Sequence, residues 1–191
     1  MMTDEIVGIL LAAGFGRRFG ADKRLALLPD GTPMAVAAAR QLSAACDRTI
    51  VVVRPEDDAL AGHADLADCA IVRCAEARQG MGHSLAAGVA ASPGAAGWLI
   101  ALADMPWIRP TSYLAVVGAL RAGAPLAQPA HLGEAGHPVG FAASWFPQLA
   151  ALCGDQGARE LIRGAAKRRV LCAVDDPGIH RDIDVPNDLG A

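Results

Sequence analysis

The chain has 191 residues, of which 53% are hydrophobic, and its formal net charge at neutral pH is −3. This length suits one domain with a substantial core, and the charge argues against a general nucleic-acid surface. No stretch approaches the roughly 20 apolar residues that a membrane span needs.

The cysteine pattern and the N-terminus indicate the compartment. Five cysteines are an odd number, and no two of them form a Cys-x-x-Cys pair, which argues against a disulfide framework or a zinc ribbon. The start, Met-Met-Thr-Asp-Glu, lacks the basic residues of a secretory signal. We therefore expect a cytoplasmic protein.

Short apolar segments alternate with alanine-rich segments, which is the pattern of a parallel α/β sheet. Strands are predicted at residues 6–13, 49–53, 70–73, 98–103, 126–129, 140–142 and 169–174. Helices are predicted at residues 34–45, 82–91, 112–121, 145–152 and 156–163. We expect an α/β fold of three-layer α/β/α, Rossmann-like type, with a mostly parallel sheet, in a single domain over residues 1–191. The Pro- and Gly-rich region 123–138 is where the architecture is expected to change.

The first predicted strand ends in a glycine-rich, basic loop. This loop and its flank contain Gly14, Gly16, Gly20, Arg17, Arg18 and Lys23. Glycine allows a ligand to approach the backbone closely, and successive N–H groups in such a loop can face one anion. We expect the loop to hold a polyphosphate.

The glycine spacing excludes two common phosphate loops. Gly-x-Gly-x-x-x-Gly is one residue longer than the dinucleotide fingerprint, and no acidic residue ends a second strand about 20 positions later. The Gly-Lys-Ser/Thr sequence of a Walker A loop is also absent.

Polar residues follow three of the predicted strands. The glycine loop follows the first, Gln79 and Gly80 follow the third, and Asp104 ends the fourth. Because ligands of open α/β sheets bind beyond the carboxyl ends of the strands, these segments should meet in one crevice. The segment at Gly80 could offer backbone donors at a helix N-terminus, or it could be an ordinary loop-to-helix junction.

Two places in the chain offer carboxylates for a metal ion. Asp104 precedes Met-Pro, where a strand must end because proline cannot donate to a sheet, and Mg²⁺ takes one or two carboxylates together with waters and phosphates. Asp182 and Asp184 share one face of an extended segment, where like charges repel unless a cation lies near. The alternatives are a turn role for Asp104 and a helix-capping role for Asp184.

The glycine loop resembles the L-A-A-G-x-x-x-R-x-G-x-x-K signature of the nucleoside triphosphate transferase superfamily. The residues in register are Leu11, Ala12, Ala13, Gly14, Arg18, Gly20 and Lys23. Asp104 stands in a motif similar to the metal-binding motif of that superfamily, whereas Val185 replaces the usual threonine after Asp184. The strings at 79–85, 136–141, 154–159 and 176–182 resemble one branch, the molybdenum-cofactor cytidylyltransferase group.

This resemblance implies Mg²⁺-dependent transfer of a nucleoside monophosphate from an NTP, CTP in that branch, to the phosphate of a molybdopterin-type acceptor, with release of pyrophosphate. It assigns catalysis to Arg18, Lys23 and Asp104, and the metal to Asp104, Asp184 and Asp182. It places the nucleotide on Leu11, Ala12, Ala13, Gly14, Gly16, Arg17, Arg18, Lys23, Gln79, Gly80 and Ser84, and the acceptor on Gly136, His137 and Pro138. Residues 1–122 would then form a nucleotide-binding half, and residues 123–191 an acceptor-binding half.

The expected partners are small molecules, with a transient contact to a molybdoenzyme or its maturation chaperone, and neither nucleic acid nor membrane. Two other functions stay open. One is guanylyl transfer to molybdenum cofactor or another small phosphate, and the other is a non-catalytic nucleotide-binding module of the same fold.

Overall fold

The computed structural model describes residues 3–15, 19 and 22–190, and within them an eight-stranded mixed sheet forms the centre. Its strands are β1 (Ile6–Leu11), β2 (Arg48–Val53), β3 (Ala70–Arg73), β4 (Gly97–Leu102), β5 (Leu126–His131), β6 (Glu134–Ala135), β7 (Val139–Ala142) and β8 (Arg169–Ala173). The strand order is β3-β2-β1-β4-β7-β5-β6, and β8 also pairs with β5. Strands β1 to β4 are parallel, β7 runs antiparallel between β4 and β5, and β8 is parallel to β5.

Helices cover both faces of the sheet. Across the described ranges they are α1 (Met34–Ser43), α2 (Asp58–Ala61), α3 (Met81–Ala90), α4 (Pro110–Arg121), α5 (Phe146–Ala150) and α6 (Arg159–Gly164). Helices α1 and α4 pack into one hydrophobic cluster, and α3 and α5 pack into a second one on the opposite face. In this part of the chain, none of the helices is both long enough and apolar enough to cross a membrane.

Strand β1 shows why the predicted three-layer architecture is correct. Ile6 and Leu10 belong to the cluster with α1 and α4, whereas Val7, Ile9 and Leu11 belong to the cluster with α3 and α5. Since side chains alternate along a strand, β1 is buried on both faces. A parallel strand that lies between two helical layers therefore has apolar residues at nearly every position, and this continuous apolar run is what predicted β1 from the sequence.

Every predicted strand is present, and the differences concern short elements. Strand β6 and helix α2 were not predicted, because two and four residues are too short to show a period. The helix predicted at 145–152 is a 3₁₀ turn, Ala143–Trp145, followed by α5, with Pro147 in the first turn of α5. The helix predicted from residue 156 begins at Arg159, after Gly157 with a φ of 53°.

Candidate active site

A cavity of about 410 Å³ lies beyond the carboxyl ends of β1, β3 and β4. Its wall is formed by residues 11–15, Lys23 and Arg24, the β3–α3 loop with the start of α3, the end of β4, and Asp155. The lining residues that the sequence had singled out are Leu11, Ala12, Ala13, Gly14, Lys23, Gly80, Ser84 and Asp104. Gln79 lies in the neighbouring 3₁₀ turn, Ala77–Gln79, and does not line the cavity.

The ammonium group of Lys23 lies between two carboxylates. Its Nζ is 2.8 Å from Oδ2 of Asp104 and 3.6 Å from Oδ1 of Asp184. The same ammonium donates to the carbonyl oxygen of Ile183 at 3.0 Å. In turn, the Ile183 amide donates to the Asp104 carbonyl oxygen at 2.9 Å, which fastens the C-terminal segment to the end of β4. Three distant parts of the sequence therefore form one charged centre at the cavity.

Asp182 takes a different position from Asp184. It is exposed, and its negative charge, like that of Asp104, acts on the imidazole of His137. Within the described residues, no group of three or more His, Cys, Asp or Glu side chains is arranged to hold a metal ion. The structure thus brings Asp104 and Asp184 together at Lys23, and the metal roles of Asp104, Asp184 and Asp182 stay predictions.

Gly136, His137 and Pro138 lead into β7 and do not line the cavity. The amide of His137 donates to the Ile179 carbonyl oxygen at 3.0 Å. The Nδ1 atom of His137 is shielded from solvent and has no hydrogen-bond partner among the described residues. Burial lowers the pKa of His137, although the charges of Asp104 and Asp182 oppose this effect. The imidazole is therefore neutral at neutral pH.

Part of the predicted nucleotide loop lies outside the described residues. This applies to Gly16, Arg17 and Arg18, together with Gly20 of the signature. Their roles stay predictions.

Comparison with known proteins gives the family. Residues 8–173 match the model of the MobA-like NTP transferase domain. The chain belongs to this family.

Its relatives match over nearly their full length. Purine catabolism protein PucB of Bacillus subtilis (strain 168) is 32% identical, over 98% of this chain and 96% of its own. Nicotine blue oxidoreductase of Paenarthrobacter nicotinovorans is 31% identical, over 94% of this chain and 92% of its own. The crystal structure of Rv0371c from Mycobacterium tuberculosis H37Rv superimposes with a TM-score of 0.86 at 26% identity, covering 98% of this chain and 96% of that one. Another structure of Rv0371c is a complex with manganese, with a TM-score of 0.79, 26% identity and coverage of 96% and 95%.

Sequence reasoning missed a buried charged cluster in this MobA-like transferase. The guanidinium of Arg24, which is 3% exposed, donates to the carbonyl oxygen of Ala12 at 2.5 Å. Its Nη2 is 2.8 Å from Oδ1 of Asp57, its Nη1 also binds Asp57, and its Nε is 2.7 Å from Oδ1 of Asp22. Burial disfavours the charged guanidinium, but the hydrogen bonds to Asp57 and Asp22 outweigh burial and raise the pKa of Arg24. The cluster thus ties the end of β1, the segment before Lys23 and the β2–α2 loop together.

Phe15 is another cavity residue that the sequence did not indicate. The guanidinium carbons of Arg54 and Arg78 lie 4.4 Å and 4.8 Å from the centre of its ring, in cation–π geometry. Arg54 also donates to the carbonyl oxygen of Gly14 at 2.6 Å. Two arginines from other segments therefore hold the start of the family's glycine loop.

Proposed function

We propose that this protein transfers a cytidylyl group from CTP to the phosphate of a molybdopterin-type acceptor and releases pyrophosphate. Membership of the MobA-like NTP transferase family supports nucleotidyl transfer. The observation that carries the proposal is the charged centre at the cavity, where Lys23 contacts both Asp104 and Asp184. The strings shared with the cytidylyl branch favour CTP and this acceptor.

The chemistry needs positioned charge more than a side-chain nucleophile. The acceptor phosphate, which is ionised near neutral pH, attacks the α-phosphorus in line, and pyrophosphate leaves with the electron pair of the broken P–O bond. Positioning and neutralisation of charge supply most of the catalysis in such transfers. Backbone N–H groups of the loop that begins at Gly14 would hold the triphosphate. Arg18 and Lys23 would neutralise the departing pyrophosphate.

The residues around Lys23 fit a divalent cation. Carboxylate oxygens of Asp104 and Asp184 and the Ile183 carbonyl oxygen all lie within 3.6 Å of one positive group, the Lys23 ammonium. Mg²⁺ takes such hard oxygen ligands, and the manganese complex of the related M. tuberculosis protein supports a divalent metal. A bound Mg²⁺ would neutralise charge on the α-phosphate. Asp104 and Asp184 would hold it, and Lys23 would then pair with the phosphates.

The acceptor is assigned to the segment Gly136, His137 and Pro138. This segment is close enough to Asp104 for the carboxylate charge to act on the His137 ring. Because its pKa is lowered, the neutral His137 can both donate and accept hydrogen bonds without adding charge. Residues 123–191 would then handle the acceptor, and the product would pass to a molybdoenzyme or its chaperone through a transient contact.

A nucleotide panel tests the proposal directly. We expect CTP with Mg²⁺ to raise the melting temperature more than GTP, UTP or ATP does. A ligand at 100 times its Kd stabilises the fold by about 2.7 kcal/mol, which corresponds to roughly 5–11 °C for a chain of this size. Differential scanning fluorimetry measures the shift, and pyrophosphate release with the acceptor present measures the reaction.

The same panel separates the alternatives. A larger shift with GTP would assign the protein to guanylyl transfer. Nucleotide binding without pyrophosphate release, for any phosphate acceptor tried, would leave a non-catalytic binding module. Because one relative is named an oxidoreductase, a parallel assay follows the consumption of reduced nicotinamide cofactors. Redox turnover without pyrophosphate release would contradict the proposed transfer.

Lys23→Ala tests the charged centre. We expect kcat/KM to fall by on the order of 10²-fold, because one preorganised charge at the phosphates is lost. The melting temperature should fall less than after a core truncation, since Asp104 and Asp184 keep contact with water. Lys167→Ala is the matched control, because Lys167 is the chain's other lysine and lies exposed before β8. Equal loss of activity in both variants would contradict a specific role for Lys23.

A further inference from the structure

Asp155 reaches the cavity from a part of the chain far from its other described lining residues. Among the residues that the structure describes, all the others that line the cavity fall between positions 11 and 104. The Asp155 side chain is exposed, and among the described residues its carboxylate has no hydrogen-bond or ion-pair partner. Its oxygens are therefore available to a ligand in the cavity.

The backbone around Asp155 packs closely against the β3–α3 loop. The amide of Gly82 donates to the Gly154 carbonyl oxygen at 2.8 Å. Gly80 has a φ of 127°, and a Cβ atom on it would lie 2.4 Å from the Gly154 carbonyl and 2.5 Å from Oδ1 of Asp155. Such distances leave no room for a side chain, so the two loops touch through glycine. The backbone that carries the carboxylate is thus packed against the start of α3.

Charge orients a nucleotide in this cavity. The Lys23 ammonium and the glycine loop attract the triphosphate, whereas the Asp155 carboxylate repels it. In the proposed complex the phosphates would lie at Lys23 and the loop that begins at Gly14, and the base would lie at the wall formed by Gly80, Ser84 and Asp155, which line the same cavity. An ionised carboxylate only accepts hydrogen bonds, so it complements an N–H group on the base.

We propose that Asp155 accepts a hydrogen bond from the exocyclic amine of cytosine and so makes the site select CTP over UTP. This inference rests on the proposed function. Carboxylate side chains pair with the N4 amine of cytosine in nucleic-acid recognition for the same reason. Uracil carries a carbonyl oxygen at that position, and two acceptors facing each other repel. The residue acts on specificity and leaves the transfer chemistry to Lys23 and Asp104.

Asp155→Asn tests the assignment, because asparagine keeps the size and offers both a donor and an acceptor. The readouts are kcat/KM for CTP and UTP and the Kd of a non-hydrolysable analogue of each. We expect the CTP-to-UTP ratio to fall by about 10–100-fold, the range of one hydrogen bond to a charged group. The change should appear in KM and Kd, with kcat for CTP nearly unchanged. Glu160→Gln is the control, since Glu160 is exposed on α6 and does not line the cavity.

Each outcome decides the inference. A reduced ratio in Asp155→Asn, with the wild-type ratio kept in Glu160→Gln, supports it. An unchanged ratio in Asp155→Asn, an equal loss of affinity for both nucleotides, or a wild-type protein that does not distinguish CTP from UTP would overturn it. In these cases pyrophosphate release from CTP by the wild type would leave the proposed function intact. A wild type that binds no nucleotide would instead remove the proposed function itself.

Discussion

Replacing Asp104 by asparagine is expected to lower metal-dependent pyrophosphate release by on the order of 10²–10³-fold. Asparagine keeps the size of the side chain but removes the negative charge that Mg²⁺ needs, and the loss of one preorganised electrostatic contact has this magnitude. The free energy of unfolding should change by only about 1 kcal/mol or less, because an amide oxygen still accepts from Lys23 and a partly exposed ion pair contributes little. Steady-state kinetics over a Mg²⁺ titration, together with chemical denaturation, measure both quantities.

The Asp104 experiment includes a matched control variant and a test of whether added metal restores activity. Asp68→Asn removes a carboxylate that is exposed before β3 and away from the cavity, and it should keep wild-type activity. Raising the metal concentration should restore part of the lost rate in Asp104→Asn, since Asp184 remains as the other proposed ligand. Near wild-type turnover in Asp104→Asn at low Mg²⁺ would show that Asp104 is a turn residue, and the proposed chemistry would lose its centre.

Asp57→Asn is expected to give the largest loss of stability. Arg24 is buried and forms two hydrogen bonds with the Asp57 carboxylate. Removing one partner of a buried ion pair costs about 3–5 kcal/mol. Because Asp22 still binds Arg24, we expect about 3 kcal/mol, or roughly 6–12 °C in melting temperature. Urea denaturation and calorimetry measure these changes.

The loss of stability in Asp57→Asn should depend on pH in a defined direction. Burial alone would raise the pKa of Asp57, but hydrogen bonds from Arg24 and from the Arg54 amide outweigh burial and lower it. The hydrogen bond from Arg24 is also the main reason that the pKa of Asp22 is lowered. A lowered folded-state pKa contributes stability that is present above the unfolded-state value, about 3.9, and that disappears as the pH falls through the folded-state value. The stability difference between wild type and Asp57→Asn should therefore be full near pH 6 and shrink below about pH 4.

Asp58→Asn is the matched control for Asp57. The two residues are neighbours, but Asp58 is 90% exposed and pairs with Arg73 on the surface, at 2.7 Å between Oδ1 and Nη2. Such a pair contributes about 0–1 kcal/mol. Equal effects of the two substitutions would show that Arg24 does not depend on Asp57. Weakened nucleotide binding in Asp57→Asn alone would show that the cluster also holds Lys23 and the glycine loop in place.

Local patterns in the sequence were sufficient for the strands and for one end of the site. The apolar run before Gly14 predicted a buried strand, and Asp104 before Pro106 predicted a carboxylate at a strand end. These predictions succeed because the hydrophobic period, glycine and proline each determine local backbone structure within a few residues of the chain. The convergence of the first, third and fourth strands followed from the rule that parallel strands present their carboxyl ends at one edge.

The pairing of charges at the site depended on which distant segments of the chain meet. Sequence spacing placed Asp182 and Asp184 on one face, and only the 3.6 Å contact between Nζ of Lys23 and Oδ1 of Asp184 shows which of the two lies beside Lys23. The partnership of Arg24 with Asp57, across 33 residues, and the position of Asp155 against Gly80 leave no periodic signal in the chain. Such contacts arise only when strand order and loop packing bring the segments together. The sequence by itself therefore determined the fold class and the family and predicted a polyphosphate-binding loop, whereas the tertiary structure decided which charges pair and which carboxylate faces the cavity.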